Sequence, residues 1–361
     1  MLINLFLFIA GLAALFVGAN ALVHGASKLA LSLGISPLVV GLTVVAFGTS
    51  APEMAVSTGA VINGQGDIAL GNVLGSNIFN VLFILGISAL VAPLIVHTQL
   101  IRQEVPIMVG TVLLLVALSL DGVIGMRDGA LLFALMILYV AFLIRQSRNA
   151  SKEQTHEFDA SLVKAKPNTW DGRWPVQIGL VVFGLLLLVL GSDWLVTASV
   201  AFAKRLGISD LVIGLTIVAA GTSMPEVAAS LVAAFKGERD IAVGNVVGSN
   251  IFNVLACLGL GGLVSGVAGI AIAPSILTFD LWVLTAVSLA CLPIFLSGRE
   301  IARWEGGVFL VYYIAYVSYM ILSAQAHDAL PQFSNAMLSF VLPLTIITLV
   351  VSVLGKKNTR Q

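Results

Sequence analysis

The chain has 361 residues, 59% of them hydrophobic and only 10% charged, with a formal net charge of +0 and a mean hydropathy of +1.05. A soluble domain carries roughly 25% charged residues, so the composition excludes a water-soluble globular protein and implies one embedded in the lipid bilayer. The sequence has no basic, aromatic-interleaved segment of the kind that binds nucleic acid. Its two cysteines, Cys257 and Cys291, both stand in apolar runs and make neither a disulfide framework nor a zinc site.

Repeated apolar runs of about 20 residues predict membrane-spanning helices, because a helix satisfies its own backbone in lipid. In chain order they fall near 2–23, 37–61, 69–92, 104–120, 128–145, 174–197, 211–235, 242–266, 276–297, 303–323 and 333–354, eleven in all. The N-terminus lacks a basic region and a cleavage site, so the first run reads as a retained helix. A polar break from Arg145 to Arg173 divides five helices from the next five. The expected organisation is a five-helix unit over 1–145, a cytoplasmic linker at 146–173 and a second five-helix unit over 174–323. One further helix with a basic tail occupies 324–361.

Basic residues set the orientation. With the N-terminus outside, the cytoplasmic loops and tail hold fifteen of the eighteen: Lys28, Arg102, Arg145, Arg148, Lys152, Lys164, Lys166, Arg173, Lys236, Arg239, Arg299, Arg303, Lys356, Lys357 and Arg360. The other side holds Arg127, Lys204 and Arg205. The expectation is a cell (plasma or inner) membrane protein with its N-terminus out and its C-terminus in the cytoplasm.

Residues 34–86 recur at 207–259 with a constant offset of 173 and no gap, and 35 of these 53 pairs are identical. The two cores, 37–92 and 211–266, each carry one acid in an apolar setting: Glu53 within GTSAPE and Glu226 within GTSMPE. A five-helix unit crosses the membrane an odd number of times, so its two copies lie upside down to each other. Inverted repeats of this kind build secondary transporters, with the substrate site near the midplane. An intramembrane carboxylate costs about 3 kcal/mol on insertion scales, and two at matching positions mark a functional site.

The neighbours of the two acids are oxygen donors. Pro52 and Pro225 lack an N–H, which frees the carbonyls of Gly48 and Gly221 from their helix donors. Thr49, Ser50, Thr222 and Ser223 add hydroxyls. The segments GNVLGSNIFN and GNVVGSNIFN add Asn72, Ser76 and Asn80 on one helix face, with Asn245, Ser249 and Asn253 as their partners. Asn77 and Asn250 point elsewhere, either to the site or as glue between helices. An all-oxygen set suits a hard cation such as Ca²⁺. The same oxygens could hold Na⁺, or protons on the two acids, and such competition is a physical basis for antiport.

These paired segments resemble the α-repeats of the sodium/calcium exchanger family, within the cation/Ca²⁺ exchanger superfamily, in its prokaryotic form without a large regulatory loop. The likeness spans roughly residues 1–323. It implies an all-α membrane protein of two inverted five-helix repeats, ten helices in all, with the eleventh as an addition. It implies no enzyme and no cofactor, but an antiporter that exchanges Ca²⁺ for Na⁺ by alternating access, helices 1 and 6 sliding as a pair. Its ion ligands would be the Ala46 carbonyl, Thr49, Ser50, Glu53, Ser76 and Asn80. In the second repeat they would be the Ala219 carbonyl, Thr222, Ser223, Glu226, Ser249 and Asn253. Many Na⁺/Ca²⁺ exchangers have Asp where this chain has Asn253, and an Asp there is tied to K⁺ in K⁺-dependent members. The amides at 80 and 253 argue against K⁺ dependence and leave a proton-coupled exchanger of Ca²⁺ or another divalent cation as the alternative. An intramembrane hydrolase with a Glu53–Glu226 dyad has no use for the duplicated ligand belt, and a channel, which also uses oxygen rings, is disfavoured by inverted repeats with two midplane acids. Outside the repeats, Asp193 reads as a headgroup-level residue. Glu104 and Asp280 read as acids at favourable helix N-termini, and within the repeats the matched Asp67 and Asp240 read as helix caps.

Overall fold

The structure, a computed structural model, describes residues 2–153, 171, 173–206, 217, 219–296 and 298–355. Its helices are α1 (Leu2–Leu33), α2 (Pro37–Thr49), α3 (Ala51–Ile62), α4 (Gly66–Val91), α5 (Leu100–Leu118) and α6 (Met126–Glu153). They continue with α7 (Trp174–Arg205), α8 (Met224–Phe235), α9 (Arg239–Val264), α10 (Ile276–Leu296), α11 (Arg303–Ala324) and α12 (330–355). Among the described residues nine helices are long and apolar enough to cross a membrane, or up to ten when α2 and α3 count as one bent span. The helix expected at 211–235 is represented by the turn Ala219–Gly221 and by α8, while 211–216 and 218 lie outside the described residues. Most of the expected linker lies outside them too.

The outer helices are longer than hydropathy indicates. Both α1 and α7 have 32 residues where 2–23 and 174–197 were expected. Lys28 ends an apolar run, but lysine is a good helix former and α1 continues past it to Leu33. The stop after α1 is Gly34, whose φ of 65° breaks the right-handed spiral. At 1.5 Å per residue each helix runs about 48 Å, well beyond the ~30 Å hydrocarbon layer.

These two helices pack backbone to backbone. A Cβ added at Gly18 would lie 2.9 Å from the Gly184 carbonyl, and one at Gly184 would lie 2.7 Å from the Gly18 carbonyl. Gly11 and Gly191 form the same reciprocal contact, at 2.8 and 2.9 Å. The offset of 173 maps Gly11 onto Gly184 and Gly18 onto Gly191, so the repeat relation also organises this interface. Small residues let membrane helices approach this closely without a hydrophobic drive.

At the centre lies α9, where every residue from Ile241 to Phe252 is buried. It presses on α2 through glycine: a Cβ at Gly248 would sit 2.7 Å from the Leu42 carbonyl. Helix α4 is its counterpart. Two short antiparallel pairs lace the molecule: β1 (Leu94–Ile95) with β4 (Glu300–Ile301), and β2 (Val123–Ile124) with β3 (Ile270–Ala271). Each joins a segment of the first half to one of the second.

The expected break beside Glu53 is present. The axes of α2 and α3 differ by 44°. Ser50 at the joint has φ −81° and ψ 2°, and Ser223 has φ −88° and ψ 8°. Proline follows each joint by two positions, at 52 and 225, where a missing N–H costs nothing in a first turn. Asp67 and Asp240 stand in the first turns of α4 and α9 without a side-chain capping hydrogen bond, so they act on the helix dipole and not as caps.

Gly184→Ala places its Cβ 2.6 Å from the Leu22 nitrogen, an overpacking expected to cost about 1–3 kcal/mol. Thermal unfolding of detergent-solubilised protein checks this against Gly179→Ala, whose Cβ meets nothing within 4 Å.

Candidate ion-binding site

Glu53 and Glu226 open the helices that follow the two breaks, and both are fully buried at 0% exposure. Each is held from the opposite repeat. Ser223 Oγ donates to Glu53 Oε1 at 2.9 Å, and Ser50 Oγ donates to Glu226 Oε1 at 3.1 Å. The second oxygen of each carboxylate, Oε2, is buried with no hydrogen-bond partner among the described residues.

Two asparagines fasten the breaks to the central helices. Asn72 on α4 donates to the Glu53 carbonyl at 3.3 Å and to Ser57 Oγ at 2.9 Å. It accepts from Thr222 Oγ1 at 3.2 Å. Asn245 on α9 repeats the pattern: it donates to the Glu226 carbonyl at 3.4 Å and to Ser230 Oγ at 2.9 Å, and accepts from Thr49 Oγ1 at 3.1 Å. Ser57 and Ser230, which sequence reading passed over, are therefore part of the frame. Their repeat match was visible, but an isolated serine in an apolar helix gives no direction.

One turn along, Ser76 Oγ lies 3.1 Å from Ser223 Oγ and donates to it, since the one Ser223 proton goes to Glu53, while Ser249 Oγ is buried without a partner among the described residues. Asn80 and Asn253 start wide π-helical turns at Asn80–Leu85 and Asn253–Cys257. Such turns concentrate at functional sites because they re-aim side chains within a helix. Asn80 Oδ1 is buried and unpartnered, whereas Asn253 Oδ1 takes the Cys257 thiol at 3.6 Å. Asn77 and Asn250 face the opposite repeat. Asn77 Nδ2 donates to the Asn250 carbonyl at 3.2 Å, and Asn250 Nδ2 donates to the Asn77 carbonyl at 3.3 Å.

Hydrogen bonds thus join Glu53, Ser223 and Ser76, and join Glu226 to Ser50, with Thr49 and Thr222 linked in through Asn245 and Asn72. The Ala46 carbonyl accepts from the Ser50 N–H at 3.0 Å, while the one Thr49 hydroxyl proton goes to Asn245 Oδ1 at 3.1 Å, so any ion would use the second lone pair of the carbonyl. Ala219 opens the turn Ala219–Gly221. The Gly221 carbonyl freed by Pro225 does not stay free: Ser192 Oγ on α7 donates to it at 2.5 Å. Its repeat counterpart at 19 is alanine, so the first half has no such hydroxyl.

The expectation for Glu104 and Asp280 needs correction. Glu104 is fully buried and accepts from Tyr139 Oη at 2.9 Å, from Gln99 at 3.0 Å and from Gln103 at 2.5 Å. Asp280 accepts from Tyr316 Oη at 3.0 Å. These are equivalent acid–tyrosine links between neighbouring helices, and Glu104 and Asp280 each end a π-helical turn, Leu100–Glu104 and Ile276–Asp280. Asp193 is exposed on α7.

The profile of the sodium/calcium exchanger protein family matches residues 3–145 and 176–322. The chain belongs to this family. The match takes in both acids and ends before α12. Among relatives, the sodium/calcium exchanger MaX1 of Methanosarcina acetivorans is 34% identical over 345 residues, covering 87% of this chain and 97% of MaX1. The inner membrane protein YrbG of Escherichia coli is 38% identical over 265 residues, covering 73% of this chain and 81% of YrbG. A solved structure of the sodium-calcium exchanger NCX_Mj soaked with Na⁺ and Sr²⁺ superposes with a TM-score of 0.74 at 30% identity, over 88% of this chain and 98% of that one. The chain is accordingly an integral membrane protein of a transporter family, compact as in its prokaryotic members.

Ser192→Ala leaves the Gly221 carbonyl buried without its donor, which is expected to cost about 1–3 kcal/mol of stability. A lower unfolding temperature in detergent, with Ser192→Thr restoring most of it, is the outcome to look for.

Proposed function

We propose that this exchanger moves Ca²⁺ against Na⁺ by alternating access through one site, with Glu53 and Glu226 as shared carboxylates. The observation that carries this reading is a set of four buried oxygens without a hydrogen-bond donor among the described residues: Glu53 Oε2, Glu226 Oε2, Asn80 Oδ1 and Ser249 Oγ. Buried carboxylates left without a counter-charge cost several kcal/mol, and the ion pairs among the described residues lie at Asp171, away from these acids. A divalent cation supplies two positive charges to two carboxylates. The remaining ligands are Thr49, Ser50, Ser76, Thr222, Ser223 and Asn253, with the carbonyls of Ala46 and Ala219. Six to eight oxygens is the usual complement of Ca²⁺.

Exchange follows from competition. Na⁺ ions entering the same oxygens neutralise the same charges, so Ca²⁺ and Na⁺ occupy the site in turn. The reciprocal hydrogen bonds between residues 173 apart support two inverted five-helix repeats related by an axis through the site. The basic-residue bias supports an N-terminus outside and a C-terminus in the cytoplasm, with α12 as the added span that brings the chain back inside. The relative MaX1 is named a sodium/calcium exchanger, which favours Na⁺ as the coupling ion. The amides at 80 and 253 give no carboxylate for K⁺.

The test is ⁴⁵Ca²⁺ uptake into proteoliposomes loaded with Na⁺, beside Na⁺-free and pH-gradient controls. Uptake driven by outward Na⁺ is the expected result; uptake driven only by outward H⁺ would make the protein a proton-coupled exchanger with the same site. Glu53→Gln and Glu226→Gln each remove one charge and are expected to abolish uptake while the protein still inserts. A folded Glu53→Gln protein with ordinary exchange would defeat the assignment.

A further inference from the structure

Asn77 and Asn250 lie between the two halves, and their hydrogen bonds determine which way four amides face. An amide can be turned end for end unless a neighbour of fixed polarity decides. Here the decision is made by backbone. Asn77 Nδ2 meets the Asn250 carbonyl at 3.2 Å, and a carbonyl can only accept, so Asn77 Oδ1 must face the other way. That oxygen accepts from Asn253 Nδ2 at 3.0 Å. The reciprocal set runs from Asn250 Nδ2 to the Asn77 carbonyl at 3.3 Å, and from Asn80 Nδ2 to Asn250 Oδ1 at 3.0 Å. All four side chains are buried, at 1% exposure or less.

We propose that Asn77 and Asn250 are positioning residues that lock the amides of Asn253 and Asn80, each across the repeat boundary, so that their oxygens are presented to the transported cation. The inference rests on the reading of Glu53 and Glu226 as the ion site. Once Nδ2 of Asn80 is committed to Asn250, its Oδ1 is the only atom left for a ligand, and that oxygen is buried without a partner. Ser76, one turn earlier on the same face, is bonded to the Ser223 that holds Glu53. In the second half the Asn253 oxygen meets Cys257 where the first half has Ile84, so the two presented oxygens are not equivalent.

The lock also explains the residue type at 253. Asn77 Oδ1 can pair only with a donor, and an ionised carboxylate there would set two acceptors face to face. With amides at 80 and 253, the site holds the two formal charges of Glu53 and Glu226.

The experiment is a double-mutant cycle on Ca²⁺ affinity, read both as the KM of ⁴⁵Ca²⁺ uptake in proteoliposomes and as equilibrium ⁴⁵Ca²⁺ binding in detergent. Supporting partners of metal ligands typically contribute 10–100-fold in affinity, and Asn77→Ala is expected to raise the KM by about 10-fold or more on that scale, with kcat changed much less. Combined with Asn253→Ala it adds little, because the residue it positions is already gone; combined with Asn80→Ala its effect multiplies. Asn250→Ala shows the mirror pattern, coupled to Asn80 and independent of Asn253, and carries the test should Asn77→Ala not fold. A general packing role would instead give additive losses with every partner. An unchanged KM in Asn77→Ala, or full additivity with Asn253→Ala, overturns the lock. Absence of saturable Ca²⁺ binding in the unmodified protein would defeat the functional reading itself and is recorded separately.

Discussion

The structure depends on burying two carboxylates at the middle of a membrane protein and holding each from the other half of the chain. Neither repeat can build its own site. Ser50 serves Glu226 and Ser223 serves Glu53, while Thr49 and Thr222 tie to the asparagines of the opposite central helix. The proline-broken helices exist to make this exchange possible, since the joints at Ser50 and Ser223 turn the hydroxyls away from their own helices. The central helices α4 and α9 must then run close enough for amide-to-carbonyl bonds, and glycine supplies that closeness where α9 meets α2. A larger residue at Gly248 would push apart the hydrogen-bond frame as well as the helices.

The departures from symmetry carry information of their own. Ser192 closes the Gly221 carbonyl, and Ala19 leaves the first half without that link. Cys257 touches Asn253, and Ile84 leaves Asn80 with its oxygen bare. The loop Lys236–Asp240 is charged where residues 63–67 read NGQGD, and it reaches α1: Lys236 donates to the Asn20 carbonyl at 3.2 Å, and Ser27 donates to Glu238 at 2.7 Å. These side chains give the two repeats different hydrogen bonds, so the halves are not equivalent in energy.

Much of this was legible in the sequence because the repeat is ungapped where the site lies. An offset of 173 paired every member of the hydrogen-bond frame around the acids, and the oxygen-rich composition named the class of ligand. Helix ends were legible only where glycine or proline marks them: α1 stops at Gly34, not at the charge that ends its apolar run. The tyrosine bonds of Glu104 and Asp280 were not legible, because a buried acid bonded to a neighbouring helix and a dipole-favoured helix start look the same in one dimension. Nor could sequence decide which carbonyls remain free. Pro225 releases the Gly221 carbonyl, but the hydroxyl that claims it lies 29 residues upstream on another helix.

The same geometry constrains how such a protein can move. The crossed bonds among Glu53, Glu226, Ser50, Ser223 and the four asparagines weld α4, α9 and the broken helices into one body, since displacing any one of them strands several buried polar groups at once. Helices α1 and α7 are joined to each other through reciprocal glycine contacts and through Gln177, which donates to Ser32 Oγ at 2.7 Å. Their links to the body include Ser192 with the Gly221 carbonyl, Ser27 with Glu238 and Lys236 with the Asn20 carbonyl. The last lies at an exposed site where water can replace the protein partner. Pulling the core helices apart would break many buried bonds, at a cost of about 1–3 kcal/mol for each unsatisfied group. The polar frame that defines the site thus ties α4, α9 and the broken helices together through buried hydrogen bonds, while α1 and α7 meet it through the links just named.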